Sequence, residues 1–257
     1  PRRHRPLMRL PVRDLLGFAL LGGLFVTNSL FYYLSLSLLP VGTASVLVFV
    51  FPALVVLWSR LFQKEDLSAL RVLALILALI GVVFTVDPVA ALALGAGISW
   101  LGVGWALGSA LSNSWYVTLA GVVGQGRPPL SVALYSLPVT AICFGVYLAF
   151  TGGFPREMAT IAWASCVGIG VLTGAAVYLY LIGVGRIGAS RAAIVATSEP
   201  ATAVLLGALL LGESITAFKL LGGGFVVAAI ALLSLARSGQ IATPAAQQSP
   251  ASPEPTT

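Results

Sequence analysis

Charged side chains are scarce in this chain. Asp, Glu, Lys and Arg make up 9% of its 257 residues, against 58% hydrophobic; a soluble domain carries about 25% charged residues. So few charges cannot cover a water-facing surface, which leaves lipid as the solvent. Histidine is nearly absent as well. His4 is the single copy and lies in a basic terminal segment, which argues against a histidine-based metal or catalytic centre. The two cysteines, Cys143 and Cys166, sit inside apolar runs and read as small buried hydrophobes rather than a disulfide or redox pair. Gly222-Gly223-Gly224 lacks a following Lys-Ser/Thr, so a phosphate loop is excluded. No ATP-hydrolysing segment and no cofactor are implied, and any driving force must be a gradient. The opening PRRHRPLMRLPVR is not followed by a short apolar run and cleavage site, so it is no signal peptide. With Pro1 in place of Met, it reads as a cytoplasmic loop whose preceding helices are absent, an N-terminal truncation.

What the chain has is long apolar runs, such as Val72 to Val86 and Ala201 to Leu211, and a mean hydropathy of +1.01. Barrel strands would alternate apolar and polar residues. These runs do not, so an all-α, polytopic helical membrane protein is expected. Eight spans are expected, at 14–37, 41–62, 68–86, 102–124, 131–151, 159–183, 188–211 and 216–236. The stretch 87–101 reads as a loop, part of which could belong to a helix, and 237–257, rich in Ala, Pro, Gln, Ser and Thr, as a disordered tail.

The net charge of +6 serves topology rather than nucleic acid, because the basic residues fall in short loops. With the N-terminus in the cytoplasm, the cytoplasmic ends hold Arg2, Arg3, Arg5, Arg9, Arg13, Arg60, Lys64, Arg71, Arg127, Arg186, Arg191 and Arg237. The outer ends hold Arg156 and Lys219. That split, 12 against 2 of the 14 basic residues, orients a multi-pass protein of the bacterial cytoplasmic membrane with both termini inside.

Residues 28–82 resemble 174–230. Tyr32 and Gly42 align with Tyr178 and Gly188. After two extra residues, Pro52, Ala53, Val56, Leu57, Leu61 and Glu65 align with Pro200, Ala201, Val204, Leu205, Leu209 and Glu213. Glu65 falls on the cytoplasmic side and Glu213 on the outer side, so the copies are upside down relative to each other. Inverted repeats with prolines at matching positions are the pattern of secondary transporters, whose sites lie near the midplane. The alternative is a duplicated bundle that kept its prolines for packing.

The stretches PVGTASVLVFVFPALVVLWSRLFQKEDLS and RIGASRAAIVATSEPATAVLLGALLLGESIT, each followed by a Gly-containing apolar helix, resemble the EamA domain of the drug/metabolite transporter superfamily, over about residues 14 to 236. The resemblance implies a ten-helix fold of two inverted five-helix halves, of which this chain looks like helices three to ten. It implies a partial first repeat at 14–86, a second at 102–236, and export or exchange of amino acids, metabolites, nucleotide precursors or drugs.

Glu199, in Thr197-Ser198-Glu199-Pro200, is the sharpest candidate for a substrate or proton site. An acid deep in a span is costly and usually faces a cavity or a partner. Pro200 frees the carbonyl of Ala196, which Thr197, Ser198 and Thr202 could help satisfy, so Pro52 and Pro200 are expected helix kinks. The residue aligned with Glu199 is Phe51. The resemblance adds that an acid before this proline recurs in some amino-acid exporters. The alternative is a neutral Glu hydrogen-bonded for packing. Polar stripes at helical spacing extend the candidate site: Trp105, Ser109, Ser112, Asn113 and Tyr116; Asn28, Tyr32 and Ser35; and Tyr178 with Tyr180. They either bind an organic solute or bond helix to helix. Gly104–Gly108 and Gly170–Gly174 have the spacing that lets helices approach closely.

The expected partners are a small-molecule substrate and the lipid bilayer, not nucleic acid, and the chain could pair with itself as a homodimer. A membrane-embedded enzyme needs an acid pair, a Ser–His dyad or a metal cluster in the bilayer, which one buried acid does not supply. A non-transporting membrane scaffold is a second rival class, and a lipid-linked solute flippase is a variant of the transport reading. Reporter fusions at residues 64 and 213 are expected to report opposite compartments; the same compartment for both would remove the inverted arrangement.

Overall fold

A peptide group in hydrocarbon has no water to bond, so an apolar chain satisfies its backbone within helices. The computed structural model describes residues 12–62, 68–85, 99–152, 159–211 and 215–241, and every regular element among them is an α-helix. In chain order these are α1 (Val12–Leu36), α2 (Val41–Val48), α3 (Phe51–Phe62), α4 (Ala69–Thr85), α5 (Trp100–Val123), α6 (Pro129–Thr151), α7 (Thr160–Ile187), α8 (Ala189–Ala196), α9 (Ser198–Leu211) and α10 (Ala217–Ile241). Glu65, Glu213, Lys64, Arg156, most of the 87–101 stretch and the tail beyond Ile241 lie outside the described residues. The tail's first residues, Ser238 to Ile241, continue α10.

Five runs are long and apolar enough to cross a membrane: Asp14–Leu36, Thr43–Phe62, Pro129–Thr151, Thr160–Ile187 and Ala189–Leu210. Ala69–Phe84 and Ala217–Leu233 are shorter apolar helices. Helix α5 is long enough but more polar, carrying Ser109, Ser112, Asn113, Ser114 and Thr118. It also lies deepest, packing on α1, α2, α3, α7 and α8. Polar side chains are tolerated there because protein, not lipid, surrounds them. The outward faces are apolar: in the first half of α7, Ile161, Val167, Ile169, Val171 and Leu172 are all exposed, as suits a lipid-facing surface.

Local chemistry sets the ends. The Ser99 side chain caps α5 by accepting from the Gly102 N–H at 3.3 Å. Pro129 starts α6, where its missing N–H costs nothing. Gly152 ends α6 at φ 108° and Gly188 turns α7 into α8 at φ 83°, left-handed conformations that favour glycine.

Two expected spans are divided. The sequence predicts one kinked helix over 41–62 and one over 188–211; each is instead two helices end to end. The first breaks at Phe49–Val50, just ahead of Pro52, and the second at Thr197, just ahead of Pro200. Proline in a helix interior clashes with the carbonyl four residues back, whereas in a first turn its ring and absent N–H are harmless. The chain therefore ends one helix and starts another. At the first break the Phe49 N–H donates to the Ser45 carbonyl at 2.9 Å and the Val50 N–H to Leu47 at 3.3 Å. At the second, the Ile194 carbonyl accepts from both the Thr197 N–H (3.1 Å) and its hydroxyl (2.7 Å).

Three apolar clusters hold the bundle. The largest joins α1, α3, α5, α6, α7 and α8 around Phe18, Leu21, Val55, Val117, Val132 and Ala193. A second, with Val56, Ala74, Ala78, Ile194, Ala229 and Leu233, fixes the α4–α10 pair against α3 and α8. The third joins Leu39, Ala44 and Ala106. At one end the buried Asp14 carboxylate accepts two hydrogen bonds from the Arg127 guanidinium, the Nε bond at 2.8 Å. Arg127 also donates to the Val123 carbonyl and lies over the Phe18 ring, 6.0 Å from its centre. A bidentate pair of this kind holds angle as well as distance, so Arg127 ties α1 to the α5–α6 turn.

Glycines mark the closest approaches, but not all of the expected ones. Gly108 meets Phe31, whereas Gly104, Gly170 and Gly174 face open space. The tightest places are elsewhere. A methyl at Gly22 would lie 2.7 Å from the Ser136 carbonyl, and one at Gly81 would lie 2.8 Å from the Gly222 carbonyl. Gly23, one residue along, has nothing within 4 Å. Gly22→Ala should therefore destabilise by about 1–3 kcal/mol through overpacking. Gly23→Ala should be neutral or stabilising by up to about 1 kcal/mol. Thermal unfolding of the two purified variants measures the difference, and equal stabilities would contradict the α1–α6 contact.

Candidate functional site

The breaks in the two divided spans point at one cavity. It has a volume of about 210 Å³. Asn28, Ser29, Tyr32 and Tyr33 of α1 line one side, and Ser109 and Asn113 of α5 another. Ser45, Val48, Phe49 and Phe51 come from the α2–α3 joint, and Glu199 from the first turn of α9. Phe51 and Glu199 are the residues just before Pro52 and Pro200. Positions aligned in sequence thus meet at one cavity, one aromatic and one acidic.

Helical spacing explains the α1 and α5 contributions. Asn28 and Tyr32 are four residues apart, as are Ser109 and Asn113, so each pair shares a helix face. The faces are locked together: the Ser109 hydroxyl lies 2.8 Å from Asn28 Oδ1 and 3.0 Å from the Asn28 carbonyl, both acceptors for its proton. This bond orients the Asn28 amide at the cavity wall.

Glu199 is open to the cavity rather than packed away. Its carboxylate forms no ion pair among the described residues. The Tyr180 phenol lies within electrostatic reach of Glu199 and of Tyr116. Its hydroxyl is buried and has no hydrogen-bond partner among the described residues.

Of the sequence-derived candidates, Asn28, Tyr32, Ser109, Asn113 and Glu199 come together on the cavity. The others lie elsewhere. Trp105 packs on the Phe31 ring at 4.9 Å. Tyr116 is buried edge-on to Phe25 at 5.7 Å, and Tyr178 packs against the main cluster. Ser198 accepts a 2.8 Å bond at its carbonyl from the Thr202 hydroxyl. Ser35 and Ser112 are buried, Ser35 donating to the Tyr32 carbonyl at 2.7 Å. Thr197 satisfies Ile194 rather than the Ala196 carbonyl. Sequence reasoning missed Ser29, Tyr33, Ser45, Val48 and Phe49. No motif marks them; they become neighbours because α2 ends where it does. Another aromatic group, Trp58 stacked on Trp115 at 5.0 Å with Phe62 beside them, is fixed by the Trp58 indole N–H donating to Ser114 at 3.0 Å.

The model of the EamA-like transporter family matches residues 2–87 and 100–235. An "uncharacterized inner membrane transporter YicL" of Salmonella typhimurium is 28% identical over 222 residues, covering 86% of this chain and 73% of that one. An "uncharacterized transporter" of Archaeoglobus fulgidus is 27% identical over 86% of this chain and 76% of its own length. The transporter sll1319 of Synechocystis, also described as uncharacterized, is 32% identical over 79% of this chain and 61% of its own length. A solved crystal structure shares the fold with a TM-score of 0.76 at 21% identity, covering 93% of this chain and 81% of that chain.

Asn113 should be reachable from water if the cavity is hydrated. In a background with Cys143 and Cys166 replaced by serine, Asn113→Cys should react with a membrane-impermeant thiol reagent, and Tyr116→Cys, buried, should not. Failure of Asn113→Cys to label from either side of the membrane would assign it to packing.

Proposed function

The chain belongs to the EamA-like transporter family, and from that premise we propose that it is a gradient-driven secondary transporter, an exporter or exchanger of small organic solutes working by alternating access. The observation that carries this is the cavity at the two helix breaks, with Glu199 standing in it. Backbone that leaves the helical pattern within the membrane is tolerated only where it is buried in protein or lines a water-filled cavity. Transporters use such breaks as binding sites. The relatives are named as transporters, in keeping with a chain that moves solute rather than converts it.

In this reading eight membrane crossings belong to two inverted halves, one partial at 14–86 and one at 102–236, with both termini cytoplasmic. Asn28, Tyr32 and Asn113 contact the solute. Glu199 couples its movement to a proton or cation gradient by alternating between charged and neutralised states. The Tyr180 hydroxyl, buried and unpartnered among the described residues, lies outside the lining. Trp105, Tyr116, Tyr178 and Ser198 support these residues from outside the lining.

The test is flux in proteoliposomes, on a solute found by a resistance or efflux screen. Glu199→Gln should lower gradient-coupled flux by about tenfold or more, the cost of one mistuned charge step. Thermal stability should stay within about 0.5 kcal/mol of wild type. Flux in the variant with the wild-type pH dependence would sink the coupling role.

A further inference from the structure

Building on the transport reading, we infer that the cavity selects a small organic cation, an ammonium group carrying only a few carbons. The first observation is charge. Among the described lining residues Glu199 is the one carboxylate, and none is Lys, Arg or His. The backbone does not change that balance. At both joints, α2–α3 and α8–α9, the C-terminal end of one helix meets the N-terminal start of the next. The opposed partial charges of the helix ends, including the α9 start that carries Glu199, therefore largely cancel.

The second observation is what surrounds the carboxylate. A proton alone would neutralise Glu199 and needs no other wall. This wall holds four rings, from Tyr32, Tyr33, Phe49 and Phe51. Phe49 and Phe51 lie 6.0 Å apart, centre to centre, at 45°. Phenylalanine cannot hydrogen-bond a solute; its electron-rich face attracts a positive centre clothed in carbon. Carboxylate and rings together recognise an ammonium in the way neither does alone. The carboxylate repels an anion, and to a neutral solute it offers a hydrogen bond without the ion pair that an ammonium gains.

The third observation is size. At about 210 Å³ the cavity falls short of the roughly 300–1,000 Å³ of sites for drug-sized ligands. That size favours a choline-sized cation over a bulky lipophilic one. The lining comes from the interior of α1 and α5 and the helix joints, not from the bundle ends, so the occupant is a free solute rather than a lipid headgroup.

The test uses the full chain in nanodiscs of phosphatidylglycerol, which carry no choline headgroups. Binding of radiolabelled choline is competed by two shape-matched analogues, neutral 3,3-dimethyl-1-butanol and anionic 3,3-dimethylbutanoate. Choline should bind, the neutral analogue should bind at least about tenfold more weakly, and the anion should not compete. Glu199→Gln should bring the choline-to-neutral ratio to about one. Phe51→Leu should weaken choline severalfold with little effect on the neutral analogue; it keeps the test decisive should Glu199→Gln unfold. No choline binding, equal binding of the neutral analogue, preference for the anion, or a ratio that survives both substitutions would each overturn the assignment. Charge-ordered binding without flux in proteoliposomes would remove the transport reading alone. Flux of a neutral or anionic solute through the same cavity would remove the cation assignment alone.

Discussion

Proline in a helix interior removes a backbone donor and crowds the carbonyl four residues back. Helix α6 carries Pro138 without breaking, whereas the spans that hold Pro52 and Pro200 divide, and those two breaks organise the molecule. Just ahead of Pro52 and of Pro200 one helix ends and another begins, with each proline in the first turn of the new helix, where its missing N–H costs nothing. A break surrounded by hydrocarbon would leave carbonyls without donors. The break ahead of Pro52 is therefore turned inward, between α1 and α5, with its aromatic side chains at the cavity. At the break ahead of Pro200 the carbonyl of the buried Ile194 accepts from the Thr197 N–H and hydroxyl, and Glu199 lines the same space. The cavity follows from where unpaired backbone can be tolerated.

Holding that space open needs rigid walls, and α5 supplies the principal one. It carries Ser109, Ser112, Asn113, Ser114 and Thr118 along its length and packs on α1, α2, α3, α7 and α8. Its serines are spent on contacts: Ser109 on Asn28, Ser114 on Trp58. Interhelical hydrogen bonds of this kind are worth about 0.6 kcal/mol each in membrane proteins. They fix register more than they add stability. Close helix approach at Gly22, the α4–α10 contact at Gly81 and the Asp14–Arg127 pair complete a frame in which α1, α5 and α6 are bound tightly to one another. Helices α7 and α9 are far more exposed.

The two aligned positions before the prolines have diverged in chemistry while remaining neighbours in space. Phe51 is almost fully buried, and Glu199 is open. One contributes a ring and the other a charge, so a backbone pattern that reads as duplicated encloses a site with distinct sides. An asymmetric solute, with a positive head and a carbon body, has one favourable orientation there.

Much of this was legible in the chain. Scarce charge and long apolar runs determined a helical membrane protein, because no other solvent and no other spanning structure fits them. Paired prolines and repeated Gly, Pro and Glu spacings located the two interrupted spans, and a lone mid-span acid marked Glu199. Helical spacing found Asn28, Tyr32 and Asn113 because the face a helix presents is periodic in sequence. It failed for Trp105, Tyr116 and Tyr178, which share those periodicities but pack on Phe31, on Phe25 and in the main cluster. Periodicity names a face of one helix; which neighbour that face meets depends on interhelical distances that only the packed bundle decides. For the same reason Gly22 and Gly81 proved close-packed while Gly170 and Gly174 face open space. Ser45, Phe49 and Tyr33 reach the cavity wall only through the tertiary arrangement of α1, α2 and α5. Sequence alone determined solvent, helix content and which two spans the prolines disturb, which are local energetic demands; that each span is broken rather than kinked came from the structure. Tertiary structure decided which side chains share the cavity, because that depends on contacts between segments far apart in the chain.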